Sequence, residues 1–226
     1  MMSQSVVMRD AEIRERVIQE LTWDSRVNAP GIGVAVADGQ VRLTGTVASY
    51  AEKMAAQEAA HRVTGVLDVA NDVQVKPPGS HLRTDLDIAK AVRWELEWNV
   101  MVPHERIRST VSDGWVTLEG EVSLWRERLD AETAIRYLPG VRGVTNHIIV
   151  TDQGVDPADL RQAIEQALER RAQREAKRLN ISVKGGRVSI RGIVRTWSEK
   201  QAVLGTISHA PGVNSVDDQL EIDPYA

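Results

Sequence analysis

Two short motifs, each present three times in one register, constrain this chain more than any other feature. GQVRLTG begins at Gly39, GWVTLEG at Gly114 and GRVSIRG at Gly186, so the copies stand 75 and then 72 residues apart. GVLDVANDV begins at Gly65, GVRGVTNHI at Gly140 and GVNSVDDQL at Gly212, and the same two offsets recur. Self-similarity at a fixed period means that one supersecondary unit is used three times. The apolar stretches ahead of the motifs agree: Ile13, Val17 and Leu21 match Ile88, Val92 and Leu96, then Leu160, Ile164 and Leu168. The shortening of the second offset falls between Val150 and Leu160, in a linker, where it removes no core contact. KPPGSHLRT and TDQGVDPA have the Pro, Gly and polar content of connections between compact units. The expected units are residues 8–78, 83–152 and 155–224.

Within a unit the hydrophobic period changes in a fixed order. Apolar residues at i, i+4 and i+8 follow Asp10, Asp85 and Asp156, which predicts an amphipathic helix with these aspartates as N-caps. Alternation then takes over: Ile32, Val34 and Val36 precede Asp38-Gly39, and Val41, Leu43 and Val47 follow it. That is a β-hairpin with a two-residue turn, repeated at Asp113-Gly114 and Gly185-Gly186. Ser49-Tyr-Ala-Glu52 and Thr196-Trp-Ser-Glu199 match the capping box of a second helix, with Arg126 read at the Glu position of the middle unit. This helix is expected to stop at Gly65, Gly140 and Gly212, and a strand through Val69, Val73 and Val75 closes the first unit. The predicted fold class is α+β: three tandem αββαβ repeats, each a three-stranded mixed sheet with two helices packed on one face. A core this small lies near the lower limit for independent folding, so packing between units is expected.

Composition limits the function classes. With 42% hydrophobic and 27% charged residues in 226, the chain is ordinary globular material, and a net charge of -4 gives no global pull toward nucleic acid or membrane. Absence of cysteine removes disulfides, thiolate metal sites and cysteine nucleophiles together. The first residues, MMSQSVVMRDAEIRERV, have neither the basic start nor the apolar run of a secretory signal, and no stretch is long enough for a membrane span. The expected location is cytoplasmic, or periplasmic had a leader been removed. The histidines at 61, 81, 104, 147 and 209 are scattered, no nucleophile elbow or P-loop occurs, and Gly31-Ile-Gly33 is a turn before a strand. Asp85/Asp87 and Asp217/Asp218 read as caps or solvated ends. No catalytic residue, metal site or cofactor is expected.

The units resemble BON domains, the module named after bacterial osmotically inducible and nodulation proteins. The likeness rests on Leu21-Thr-Trp23 and Leu96-Glu-Trp98 at the end of the first helix. It continues through Asp-Gly-x-Val-x-Leu-x-Gly at 38–45 and 113–120, and Gly-Val-x-x-Val-x-Asn at 65–71 and 140–146. The third copy departs from the pattern with Arg170 for Trp, Gly185 for Asp, Ile190 for Leu and Asp218 for Asn. The resemblance implies a non-enzymatic binding or scaffold protein of the osmotic- or envelope-stress type. It also implies anionic phospholipid, a protein partner or potassium as ligand.

Two surface features stand out from the repeat. Trp94 matches Gln19 and Gln166, so it occupies a position that the sister units keep polar. It either packs on a neighbouring unit or linker, or meets a membrane interface or partner, since indole is amphipathic. Trp98 matches Trp23 and is expected to cover the helix end. Tyr50, Trp125 and Trp197 share one register before the second helix and read as structural staples rather than a ligand box. The third unit carries Arg170, Arg171, Arg174, Lys177, Arg178, Lys184, Arg187, Arg191 and Arg195, opposed within that run only by Glu175. Strand alternation places Arg187, Arg191 and Arg195 on the open face of the sheet. Such a patch can hold lipid phosphates or a partner, face the acidic first two units, or simply be solvated. Nucleic acid is not expected, because no aromatics interleave with the cations.

Overall fold

The computed structural model describes residues 3–79, 83–171 and 179–223. Unit one comprises α1 (Ser3–Trp23), β1 (Ile32–Ala37), β2 (Gln40–Val47), α2 (Tyr50–Arg62) and a closing strand in two pieces, β3 (Asp68–Asn71) and β4 (Gln74–Val75). Unit two comprises α3 (Asp85–Trp98), β5 (Ile107–Ser112), β6 (Trp115–Val122), α4 (Trp125–Ile135) and β7 (Gly143–Val150). Unit three comprises α5 (Pro157–Arg171), β8 (Asn180–Lys184), β9 (Arg187–Val194), α6 (Trp197–Ser208) and β10 (Ser215–Ile222). In each sheet the central strand pairs antiparallel with its hairpin partner and parallel with the closing strand. The αββαβ fold with a three-stranded mixed sheet is therefore present three times.

Alternation along the central strand sets the core. Val41, Leu43 and Val47 are buried against Ile13, Val17 and Leu21 of α1 and against Ala56, Ala59 and Ala60 of α2. Val116, Leu118 and Val122 repeat this with α3 and α4, and Val188, Ile190 and Val194 with α5 and α6. The intervening residues point away from the helices, so each sheet keeps one face bare. Gly45 and Gly120 occupy a point where the hairpin strands approach closely: a Cβ there would run into the carbonyl oxygens of Gly31 and Arg106, and both have positive φ.

The hairpin turns show what the aspartates do. Asp38 and Gly39 have φ of 51° and 75°, and Asp113 and Gly114 have 49° and 76°, the doubly left-handed pattern of a type I′ turn. Asp10 and Asp85 are not N-caps. Asp10 lies inside α1, and Thr84 caps α3 in a reciprocal box with Asp87. Instead the Asp10 carboxylate accepts from the backbone N–H of Asp38 at 2.9 Å and of Gly39 at 3.0 Å. Asp85 does the same for Asp113 at 2.8 Å and Gly114 at 2.9 Å. In unit three the matching position is Pro157; Asp156 stands one residue earlier and accepts from the N–H of Ala158 at 2.7 Å, capping its own helix.

Two further expectations are corrected. Glu127, not Arg126, occupies the capping-box position of α4, accepting from the N–H of Ser123 and Leu124; the hydroxyl half is missing because Leu124 stands where Ser49 and Thr196 stand. The second helices end before Gly65, Gly140 and Gly212, whose positive φ belongs to the turn into the closing strand.

The recurring aromatic is the first residue of α2, α4 and α6, and it leaves its own unit. Tyr50 packs on the core of unit two, in the field of Glu132 and Arg136. Trp125 packs on the core of unit three as well as its own, and beside it Arg126 meets His209. Trp197 stacks on His61 of unit one, with ring centroids 3.7 Å apart and planes 6° from parallel, and α2 packs along α6. One register position thus makes three head-to-tail contacts, and the third closes the chain on itself.

His61 is 5% exposed, and its Nδ1 has no hydrogen-bond partner among the described residues. Burial, aided by the charge of Lys200 and opposed by Asp68, holds its pKa down to about 4 from an ordinary 6.5. A base whose folded pKa lies below its unfolded value costs stability once the unfolded chain begins to bind the proton. Stability is therefore complete above about pH 6.5 and falls by about 3 kcal/mol toward pH 4. Thermal melts across that window should show the slope in the parent chain and a much shallower one in His61→Gln. Asp24, held well below the usual carboxylate range by hydrogen bonds from Arg26 and Arg62, titrates below this window. A second expectation concerns the hairpins: Asp85→Ala should lower stability by about 1–2 kcal/mol and speed hydrogen exchange at Asp113 and Gly114.

Candidate functional site

Helix geometry decides which way the tryptophans of α3 point. Ile88, Val92 and Leu96 form its buried stripe. Trp94 and Trp98 each sit two residues past a member of that stripe, about 200° round the helix, so both belong to the outer face. Trp94 is 64% and Trp98 73% exposed, packed edge to face with ring centroids 6.1 Å apart. Trp98 therefore does not cover the helix end, and neither does Trp23, which is also exposed. The stripe marks the inward face correctly; the expectation for Trp98 rests on its match to Trp23, and the helical period turns both residues outward.

The loop after α3 extends the patch. Val100 is 96% and Met101 51% exposed, while Val102 turns into the core. Lys90, one turn before Trp94 on the same face, is exposed and adds a cation, and Arg93 lies 3.9 Å from Glu97. Sequence reasoning missed Val100 and Met101, because apolar residues in a loop carry no period, and Lys90, because one cation on an outer helix face does not stand out. The signal was available in the run Val100-Met-Val, three consecutive apolar residues after the helix stop, turned by Asn99, whose Oδ1 accepts from the N–H of Met101 at 3.0 Å.

The open face of the unit-three sheet is the second feature. Lys184, Arg187 and Arg191 are exposed there, with Ile193, another exposed apolar residue, beside them. The Arg191 guanidinium donates to Oε1 of Gln219, at 2.8 Å from Nε and 2.5 Å from Nη2. Asp217 accepts from Ser189 at 3.2 Å and from Gln219 at 2.8 Å, so the face is not purely cationic. Arg195, just past β9, is exposed; its N–H donates to Glu199. Arg170 is exposed on α5, in a recess lined by Thr206, His209 and Pro211, on the helix side of the sheet. The structure therefore separates Arg170 from Lys184, Arg187 and Arg191. Arg174 and Arg178 lie outside the described residues.

Trp94 and the cationic strand sit in different units. Among the described residues no three His, Cys, Asp or Glu side chains converge to hold a metal, and no helix is long and apolar enough to cross a membrane.

Three copies of one α+β unit, locked head to tail and bearing exposed aromatic and cationic surfaces, define a tandem-repeat binding module. The chain belongs to the BON domain family, whose model, described as BON domain, matches residues 9–77, 84–152 and 156–224. That family points to a non-enzymatic binding module related to the cell envelope and to stress. No curated protein matches the chain. It is similar to a solved structure of CdsD, a structural protein of the type III secretion system of Chlamydia trachomatis. There the identity is 15%, covering 96% of this chain and 92% of that one, with a TM-score of 0.27. A second structure, of the CdsD C-terminal domain, shares 14% identity over 98% of this chain and 100% of that one, again with a TM-score of 0.27. Likeness at that level carries no argument about this chain.

Proposed function

We propose that this protein acts without catalysis, as a stress-associated module that attaches peripherally to an anionic phospholipid surface. The observation that carries the reading is the exposed pair Trp94 and Trp98, continued by Val100 and Met101. Large apolar groups left together on a surface mark an interaction site, and indole is favoured at the membrane interface. Lys90 on the same helix face, and Lys184, Arg187 and Arg191 on unit three, supply attraction to lipid phosphates of about 1 kcal/mol per cation. A protein partner is the second reading, favoured by the same aromatic patch, since tryptophan is enriched at protein interfaces. Nothing among the described residues favours potassium.

Liposome flotation with anionic and neutral vesicles across a salt series tests the proposal. Binding to anionic vesicles alone, weakening as salt rises, is expected. Burying about half of a 150–250 Å² indole is worth about 2–3 kcal/mol, so Trp94→Ser with Trp98→Ser should reduce binding more than about tenfold. Arg187→Glu with Arg191→Glu should flatten the salt dependence. Absence of flotation at low salt sinks the lipid reading and leaves the aromatic patch to a protein partner.

A further inference from the structure

The three hairpins differ in one chemically specific way. A turn with two successive positive φ values directs its adjacent backbone N–H groups into one concavity that suits an anion. In units one and two that concavity holds a carboxylate of the chain itself. Asp10 spans Asp38 and Gly39, and Asp85 spans Asp113 and Gly114, one oxygen to each N–H at 2.8–3.0 Å.

Unit three keeps the turn and changes what surrounds it. Gly185 and Gly186 have φ of 52° and 74°, and Lys184 pairs with Arg187 as Ala37 pairs with Gln40 and Ser112 with Trp115. Pro157 replaces the aspartate, and displacing the acid to Asp156 turns it by about 100° onto the N–H of Ala158. No side chain among the described residues accepts from Gly185 or Gly186 N–H. On the other side Asn214 braces the turn, its Nδ2 donating to the Gly185 carbonyl at 2.8 Å and its N–H to the Gly186 carbonyl at 2.9 Å. The residues flanking the turn, uncharged in both sister units, have become two cations directly opposite one another. Like charges at that spacing oppose pairing unless an anion lies between them.

From the loss of the internal carboxylate and the gain of two cations at one place, we infer that the Gly185-Gly186 turn, with Lys184 and Arg187, binds a carboxylate from an acidic segment of a partner protein. Both sister turns hold a planar two-oxygen group with one N–H on each oxygen, and this favours a carboxylate as the ligand. The cations continue along the strand to Arg191, which favours an extended acidic segment over an isolated small acid. The inference goes beyond the membrane reading, shares Lys184, Arg187 and Arg191 with it, and is tested without lipid.

The experiment follows backbone amide resonances of the full chain during titration with a blocked peptide rich in Asp and Glu. The same peptide with Asn and Gln, and inorganic phosphate, form the other arms. Saturable downfield shifts of Gly185 and Gly186 with the acidic peptide alone are expected, while Asp38, Gly39, Asp113 and Gly114 stay still. Pro157→Asp, which restores an internal carboxylate, should abolish the response. Lys184→Ala with Arg187→Ala should weaken binding about tenfold or more. Unmoved Gly185 and Gly186 amides, or a response that Pro157→Asp leaves intact, would overturn the site. A stronger response to phosphate would overturn the acidic peptide as its ligand.

Discussion

The contact between the first residue of each second helix and the next unit is what makes three small folds into one protein. Each core contains about a dozen buried side chains around one three-stranded sheet, a size at which burial barely exceeds the entropy of ordering the chain. An aromatic is effective here because it removes a large area from water with few torsions to fix. Tyr50 and Trp125 act between units that follow one another along the chain, each reaching into the core of the next. The Trp197 contact with His61, where α6 packs along α2, joins the ends of the array and converts a string of units into a closed arrangement.

Much of the fold is legible in the sequence because the chain states it three times. Helix faces, hairpin turns and strand alternation all follow from local periods, and the repeated register removes the ambiguity of any one copy. What a period cannot give is the partner of a residue that leaves its unit. Tyr50, Trp125 and Trp197 read as staples of their own helices, although their shared register was visible. Asp10 and Asp85 read as caps because an acid before an apolar stripe usually is one; the carboxylates bind a turn 28 residues away instead. The surface was harder still. Trp94 stands out as a departure from the repeat, but Trp98 was placed by analogy with Trp23, and both analogues face solvent.

Divergence between copies is where the functional information lies. Residues shared by all three units hold the core, the turns and the seams. Unit two alone adds Trp94 to an outer helix face and Met101 to the loop that follows it, and unit three alone exchanges an internal acid for external cations at its hairpin. A closed array of near-identical frames lets such changes accumulate on outer faces without disturbing the core, because every sheet keeps one side free of helices.

Closure of the three units rests on Trp197. Urea unfolding of the parent chain and of Trp197→Ala, followed by far-ultraviolet circular dichroism, tests it directly. A single cooperative transition in the parent is predicted, with the variant unfolding in resolved steps whose first midpoint lies at lower urea. A Trp197→Ala curve that superimposes on the parent would mean that the three units stand independently, and would contradict the account.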